Sequence, residues 1–200
     1  MLKIKIAVLV SGGGTNLQAL LDAQSRGEIP SGEIVLVVSN NPDAYALKRA
    51  EQAGVDTRVV SRKEYGEQFE PALIKTLQQA GIQLVILAGF MCILGKEFIT
   101  AFEGRIINVH PSLIPSFCGK GYYGLRVHQA VLDYGVKVTG ATVHYVNEIP
   151  DGGAIILQRA VEVLEGDTPQ TLQKRVMEQA EWKLLPAAAE MVCKKLLQQK

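Results

Sequence analysis

Short runs of apolar, mostly β-branched residues alternate with segments of helical period along the first 110 residues of this 200-residue chain. The apolar runs predict buried strands at residues 4–10, 34–39, 57–60, 84–88 and 106–109. The segments between them predict helices at residues 16–26, 44–53 and 63–80. Continuous apolar strands are typical of parallel sheets covered on both faces, and parallel neighbours need a helical crossover. The pattern therefore predicts an α/β fold with a doubly wound, mostly parallel, Rossmann-like sheet.

The second part of the chain departs from this regular alternation. A turn-rich stretch, HPSLIPSFCGKGYYG, precedes a short predicted helix at 126–134. Two strand-like runs follow, at 137–147 and 154–163. They are expected to extend the sheet, and one of them can be antiparallel to the other strands. We find no linker or internal repeat, and we predict a single domain.

The last segment has a helical pattern with clear start signals. Thr168 is placed to cap the helix and Pro169 to fill its first position. Pro186 lies inside the pattern and is expected to kink or break the helix, because proline lacks the backbone N–H.

Composition excludes several classes of partner. The chain is 48% hydrophobic with 21 Lys plus Arg against 20 Asp plus Glu, so it lacks the basic excess of a nucleic-acid-binding protein. The apolar run at 6–10 ends in SGGGTN and is too short for a signal peptide, and no run could span a membrane. The three cysteines are scattered, which fits neither a disulfide framework nor a zinc site and favours the cytoplasm.

A glycine-rich loop, Ser11 to Asn16, joins the first predicted strand to the first predicted helix. Glycines let backbone N–H groups approach an anion at the positive end of a helix. Leu17 occupies the place of the third glycine of the dinucleotide fingerprint, and the lysine of the ATP-binding loop is missing. A phosphomonoester is therefore the predicted ligand, with a simple tight turn capped by Thr15 or Asn16 as the alternative.

Polar residues follow the fifth predicted strand, at the sheet edge where ligands bind in open α/β sheets. Asn108 and His110 point to the same side because side chains alternate along a strand. Asp151 lies in a turn, IPDGG, and a carboxylate near His110 would raise the pKa of the imidazole. This trio offers an oxyanion donor, an acid/base and its partner, although each residue could instead serve a strand end or a turn.

The other histidines have weaker assignments. His144 lies between Val143 and Tyr145 on a predicted strand and is a candidate for a supporting role behind the trio. His128 is expected at the surface of a short helix. No histidine or cysteine pair has ligand spacing, so no metal is expected.

Six segments carry a resemblance to a known family over essentially the whole chain. They are SGGGTNLQAL, VVSNNPDAYALKRAEQAG, LVILAGFMCIL, IINVHPSLIPSF, VKVTGATVHYVNEIPDGGAIILQ and the closing helix. Together they resemble the phosphoribosylglycinamide formyltransferases, folate-dependent enzymes of purine synthesis. The resemblance implies transfer of a formyl group from 10-formyltetrahydrofolate, as co-substrate, to the amine of glycinamide ribonucleotide, without a metal.

The same resemblance implies the roles of particular residues. Asn108, His110 and Asp151 match the catalytic trio, and Asn108 also faces the folate. The phosphate loop is matched by Gly14, Thr15 and Asn16, and Glu181 is assigned to the amine of the acceptor. The folate site is matched by Arg62, Met91, Cys92, Ile93 and Leu94. Residues 1–110 would form the phosphate-binding half and residues 111–200 the folate-binding and C-terminal part of the same domain.

Three departures from the commoner family pattern affect these assignments. Cys92 replaces a basic residue, so a folate contact there is expected through the backbone. The stretch FCGKGYYGLRVHQA replaces a shorter loop, and a cis peptide bond at Ile114–Pro115 is a hypothesis for the turn before it. Glu181 and Trp182 replace a Glu-His pair, one residue further from Arg175 than usual.

Competing functions remain open from the sequence. Formyltetrahydrofolate deformylase would use the same trio, but it usually has an additional N-terminal domain, and methionyl-tRNA formyltransferase would need a basic C-terminal domain. A Rossmann-type oxidoreductase conflicts with Leu17, and a ligand-sensing module would leave the trio unexplained. We expect a cytoplasmic enzyme with small-molecule substrates only, a monomer or homodimer that binds neither nucleic acid nor membrane.

Overall fold

One seven-stranded sheet organises the computed structural model, which describes residues 2–199. Its strands are β1 (Ile4–Val10), β2 (Gly32–Ser39), β3 (Asp56–Val59), β4 (Leu84–Leu87), β5 (Ile106–His110), β6 (Val138–Tyr145) and β7 (Ile155–Glu162). The helices are α1 (Thr15–Ser25), α2 (Tyr45–Gln52), α3 (Arg62–Tyr65), α4 (Phe69–Gln79), α5 (Lys96–Ala101), α6 (Leu125–Tyr134), α7 (Pro169–Val176) and α8 (Trp182–Gln198).

The strand order is β3-β2-β1-β4-β5-β6-β7. Strands β1 to β5 are parallel, whereas β6 and β7 pair antiparallel at one edge. The doubly wound, mostly parallel α/β fold predicted from the sequence is confirmed. The reversal of strand order on the two sides of β1 places a crevice at the carboxyl ends of the central strands.

Apolar residues of β1 show why both faces of the sheet are covered. Ile6 and Val8 pack on one face with residues of α1 and α8, while Ala7 and Leu9 pack on the other with residues of α4 and α5. Successive side chains of a strand point to opposite faces, so a strand buried on both sides must be apolar throughout. Four of the five predicted strands have this pattern for that reason, whereas β3 lies at the edge of the sheet and has no buried residue, so its predicted burial is wrong.

The single helix predicted at 63–80 is wrong. The chain forms α3, a 3₁₀ turn at Gly66–Gln68 and then α4. Gly66 has a φ of 54°, in the left-handed region that an α-helix does not use. Ser61 caps α3 by accepting a hydrogen bond from the Glu64 backbone N–H at 3.2 Å.

The C-terminal helices confirm the predicted start and correct the predicted break. Thr168 caps α7, with Pro169 at its first position, and exchanges hydrogen bonds with Thr171 in a capping box. The helix then widens into a π turn at Met177–Glu181, and α8 continues through Pro186 without ending there. The prediction that the helix breaks at Pro186 is wrong. The irregular turn lies before Pro186, at Met177–Glu181.

The π turn lies between Arg175 and Glu181, where the resemblance implies a spacing longer by one residue. A π turn inserts one extra residue into an otherwise continuous helix. The turn at Met177–Glu181 is of this kind. None of the helices within residues 2–199 combines the length and apolar character needed to cross a bilayer.

Candidate active site

The carboxyl ends of three neighbouring strands bring the predicted site residues to one edge of the sheet. The glycine loop follows β1, the segment 90–94 follows β4, and Asn108 and His110 end β5. The turn that carries Asp151 follows β6. This edge is where the fold exposes backbone groups and polar side chains rather than packed apolar ones.

Asn108 contacts His144 across the β5–β6 pair, where the two residues are direct partners. The Nδ1–H of His144 donates to the carbonyl of Tyr145 at 2.8 Å, and its Nε2 lies 3.3 Å from the Asn108 amide nitrogen. His144 is 1% exposed. It therefore orients the Asn108 amide, and one amide N–H of Asn108 stays available to a ligand.

His110 is fixed at both ring nitrogens. Its Nε2–H donates to the carbonyl of Phe117 at 2.9 Å, because a carbonyl oxygen can only accept, and its Nδ1 lies 3.5 Å from Asp151 Oδ2. Burial lowers the pKa of His110, and this effect outweighs the opposing influence of Asp151 and the Phe117 carbonyl. The expected net rise in the pKa of His110 is therefore wrong: Asp151 does raise it, but the burial of a residue that is only 5% exposed has the larger effect.

Asp151 lies between the two imidazoles. Oδ1 is 3.5 Å from His144 Nε2, and Oδ2 accepts the backbone N–H of Gly119 at 2.8 Å. Burial by itself would raise the pKa of Asp151, but the contacts with His144, His110 and Gly119 together lower it. Asp151 adopts a φ of 55°, a left-handed conformation that directs its side chain from the turn to these partners. The structure thus brings all three predicted residues together, with an anionic Asp151 beside a neutral His110.

His128 is buried, not at the surface as predicted. Its side chain on α6 is 0% exposed, and neither ring nitrogen has a hydrogen-bond partner within the described residues 2–199. Burial lowers the pKa of His128 to about 4, with a further contribution from His110. The residue is therefore a neutral part of the packing behind the site.

The glycine loop presents an uncapped helix start. Gly14 is the N-cap residue of α1, with a φ of 75°, and no side chain caps the helix. Thr15 and Asn16 are its first two residues and do not act as the caps that the alternative interpretation required. The first backbone N–H groups of α1 are consequently free to bind an anion.

Asn16 and Glu181 link this loop to the π turn. The Asn16 amide donates to Glu181 Oε2 at 2.6 Å, while Asn16 Oδ1 is buried and has no partner within the described part of the chain. Glu181 is 6% exposed, and burial raises its pKa to about 7, although the Asn16 hydrogen bond opposes this effect. The structure therefore places Glu181, predicted to bind the acceptor, directly beside the glycine loop.

Asn108 also lines an open pocket of about 580 Å³ of empty space, part of it solvent. Its walls come from β4, the segment after it, and the turn before Asp151. They include Cys92, Ile93 and Leu94 of the predicted folate residues, together with Leu87, Phe90, Asn108, His144, Val146 and residues 147–151. The sequence missed Phe90, Val146 and the 147–150 turn, whose apolar and turn residues give no local functional signal.

Two predicted folate residues lie outside this pocket lining. The Met91 backbone N–H donates to Ser11 Oγ at 2.8 Å, and the side chain is exposed. Arg62 stacks over the ring of Phe69, with its guanidinium carbon 5.0 Å from the ring centre. Cys92 accepts a hydrogen bond from the Asn40 amide at 2.9 Å through its sulfur, which leaves its backbone groups for a ligand.

Two features of the surrounding loops bear on the site. The Ile114–Pro115 bond is cis, as hypothesised. Residues 2–199 contain no group of three or more His, Cys, Asp or Glu side chains arranged to hold a metal ion.

The chain is similar to known proteins in both sequence and structure. A family model described as formyl transferase matches residues 4–189. Phosphoribosylglycinamide formyltransferase of Haemophilus influenzae is 43% identical over 184 residues, which are 91% of this chain and 84% of the relative. Glycinamide ribonucleotide transformylase 1 of Symbiobacterium toebii superposes with a TM-score of 0.90 at 44% identity, covering 96% of this chain and 89% of that one.

A longer relative shares the same region. Trifunctional purine biosynthetic protein adenosine-3 of Gallus gallus is 48% identical over 192 residues, or 95% of this chain. The chain spans only 18% of the length of that relative.

Proposed function

The chain belongs to the formyl transferase family, and from this premise we propose that it transfers the formyl group of 10-formyltetrahydrofolate to the amine of glycinamide ribonucleotide. The products would be N-formylglycinamide ribonucleotide and tetrahydrofolate. One observation carries the proposal: Asn108, His110 and Asp151 converge beside an open pocket, at the same edge of the sheet where the uncapped α1 begins. The names of the relatives lend no support to a deformylase or an oxidoreductase.

The phosphate of the acceptor would bind at the glycine loop. The N–H groups of Gly14, Thr15 and Asn16 begin α1 without a side-chain cap, and a phosphate dianion suits the positive end of a helix. Glu181 lies beside Asn16 and would accept a hydrogen bond from the glycinamide amine. This arrangement would direct the amine from the loop toward His110.

The pterin of the folate would bind in the pocket beside Asn108. Leu87, Phe90 and Val146 supply apolar surface for a flat ring, and the backbone of residues 92–94 supplies hydrogen-bonding groups. Met91 and Arg62 lie outside the pocket lining, and we propose that they contact the more distant part of the folate. The folate residues thus come from both parts of the domain, since residues 147–151 also line the pocket.

In the proposed reaction the amine nitrogen bonds to the formyl carbon, and the bond from that carbon to N10 of the folate breaks. Asn108 donates its free amide N–H to the developing oxyanion. His110 begins neutral, so its Nδ1 can accept the proton that the amine loses. Asp151, 3.5 Å away, stabilises the resulting imidazolium until the proton moves to N10.

Further expectations concern the setting in which this enzyme works. We propose a cytoplasmic monomer or homodimer that uses small-molecule substrates and binds neither nucleic acid nor membrane. The formal net charge of +1 supports the proposal that it does not bind nucleic acid, and the three free cysteines support a reducing compartment. We also propose that residues 1–110 provide the phosphate site and residues 111–200 complete the folate site.

Steady-state kinetics with three alanine variants tests the assignment of the trio. Asn108→Ala, His110→Ala and Asp151→Ala should each lower kcat by about 10² or more, because a lost oxyanion donor alone has an effect of about 10² to 10³. Asp133→Asn, an exposed carboxylate paired with Gln129 on α6, is the matched control and should keep parental kinetics. Near-parental formyl transfer by all three folded alanine variants would refute the proposed site.

A further inference from the structure

Helix α2 holds the outer side of the glycine loop. The Ala46 N–H donates to the carbonyl of Gly12 at 3.0 Å. Gly14 packs so closely against the same helix that a Cβ atom there would lie 2.6 Å from the Ala46 Cβ. The loop therefore depends on α2 as well as on α1 for its conformation.

Arg49, one turn further along α2, contacts the loop directly. Its Nε–H donates to the carbonyl of Gly13 at 2.8 Å, and Nη1 donates to Gln18 Oε1 of α1 at 3.0 Å. Its guanidinium carbon also lies 5.0 Å from the ring centre of Tyr45. These three contacts fix a planar, permanently charged group against one peptide of the loop.

The direction of two loop amides follows from these contacts. Carbonyl and N–H point in opposite directions across a trans peptide bond. Because the carbonyls of Gly12 and Gly13 point to α2, the N–H groups of Gly13 and Gly14 point away from it. Together with the uncapped start of α1 they form an array of donors suited to a phosphate.

Apart from the packing of Gly14 against Ala46, the Gly13–Gly14 peptide has few other restraints. No atom lies within 4 Å of the position that a Cβ would take at Gly12 or Gly13, and glycine reaches either sign of φ readily. Rotation of this peptide would turn the Gly13 carbonyl toward the phosphate and the Gly14 N–H away from it. The bond from Arg49 opposes that rotation.

We propose that Arg49 is a positioning residue of the phosphate site. Its guanidinium holds the Gly13–Gly14 peptide with the amide toward the 5′-phosphate of the acceptor, and it does so without touching the phosphate. The inference rests on the proposed function for the identity of that acceptor. It adds a residue of α2 to a site otherwise built from the loop, α1 and the π turn.

Kinetics of Arg49→Ala and Arg49→Lys with both substrates tests this role. Arg49→Ala should raise the KM for glycinamide ribonucleotide about tenfold to a hundredfold, the range expected for losing a hydrogen bond from a charged donor. Its kcat and its KM for the folate should stay within about threefold of the parent. Arg49→Lys should keep most of the defect, because a lysine preserves the charge but not the planar fork.

Two controls separate positioning from general effects. Arg26→Ala removes a positive charge at the far end of α1, paired with Glu28 at 2.6 Å, and should change the KM less than twofold. Glycinamide riboside, which lacks the phosphate, should react with the same kcat/KM in the parent and in Arg49→Ala. Should the alanine variant not fold, Arg49→Gln replaces it with the same expectations.

Three results would overturn the proposal: an unchanged KM in Arg49→Ala, full recovery in Arg49→Lys, or an equal loss of activity toward the riboside. Binding of ribose 5-phosphate, measured by calorimetry, gives a readout that needs no reaction. It should weaken at least tenfold in Arg49→Ala, and equal affinity would count against Arg49. A parent protein without formyl transfer would refute the proposed function, while the ribose 5-phosphate titration would still decide the role of Arg49.

Discussion

Replacing Glu181 with glutamine removes an ionisable group from a site that disfavours its charged form. Glu181 is 6% exposed, and burial raises its pKa to about 7 despite the hydrogen bond from Asn16. A glutamate in an unfolded chain titrates near about 4.3. The folded protein therefore binds this proton more tightly than the unfolded protein does.

The size of the effect follows from the two pKa values. Their separation corresponds to about 4 kcal/mol of unfolding free energy. This contribution is fully present below the unfolded pKa and is lost as the pH rises through about 7, the pKa of folded Glu181. Glutamine is neutral throughout and can still accept from Asn16, so Glu181→Gln should nearly match the parent at pH 4.5 and exceed its stability by about 4 kcal/mol at pH 8.

Urea unfolding of the parent and Glu181→Gln between pH 4.5 and pH 8 measures this difference. Glu178→Gln is the matched control, since Glu178 lies on the same π turn with a side chain 46% exposed and pairs with Lys174 at 3.8 Å. The control should change stability by less than about 1 kcal/mol at each pH. Parallel pH profiles for the parent and Glu181→Gln would refute the reasoning.

The same variant also tests whether Glu181 binds the acceptor. If Glu181 binds the glycinamide amine, Glu181→Gln should raise the KM for the acceptor while it stabilises the fold. A gain in stability without a change in KM would separate the burial of Glu181 from the role proposed for it.

Further predictions concern the histidines and a helix cap. Because neutral His110 accepts the amine proton, kcat should rise with pH through the lowered pKa of His110 and level off by about pH 6.5; a rate that falls over this range would contradict the neutral starting state. His128→Leu should be more stable than the parent near pH 4.5. The parent loses the stability that neutral His128 contributes above about pH 6.5 as the pH falls toward the His128 pKa of about 4, and leucine cannot lose it. Acid unfolding curves of the two proteins that coincide would exclude this. Thr168→Ala should lose about 1 kcal/mol in urea unfolding by breaking the capping box, and an unchanged midpoint would show that α7 needs no cap.

Local patterns predicted the parts of the fold that depend on local rules. The parallel strands were predictable because a strand segment buried on both faces is apolar throughout, as at residues 6–10 of β1. Asn108 and His110 were predicted on one side by the period of a strand, and Thr168 with Pro169 marked the start of α7. Asp151, far away in the sequence, was paired with His110 on the strength of its turn and the family resemblance.

Features set by tertiary packing were not predictable in this way. The pKa of His110 was expected to rise from the nearby charge, but burial decides its direction, and burial is not visible in the local sequence. His128 was predicted at the surface, but the rest of the fold covers this side of α6 and buries it. The π turn at Met177–Glu181 was likewise not predicted, because the sequence there has an ordinary helical pattern.

The fate of the formyl carbon tests the central claim most directly. Purified protein would be mixed with glycinamide ribonucleotide and 10-formyltetrahydrofolate labelled with ¹³C in the formyl group, and the carbon followed by NMR. The account predicts that the label appears as the N-formyl group of the ribonucleotide and that Asp151→Ala slows its appearance by about 10² or more. Label recovered only as formate, or retained on the folate by a folded protein, would contradict it.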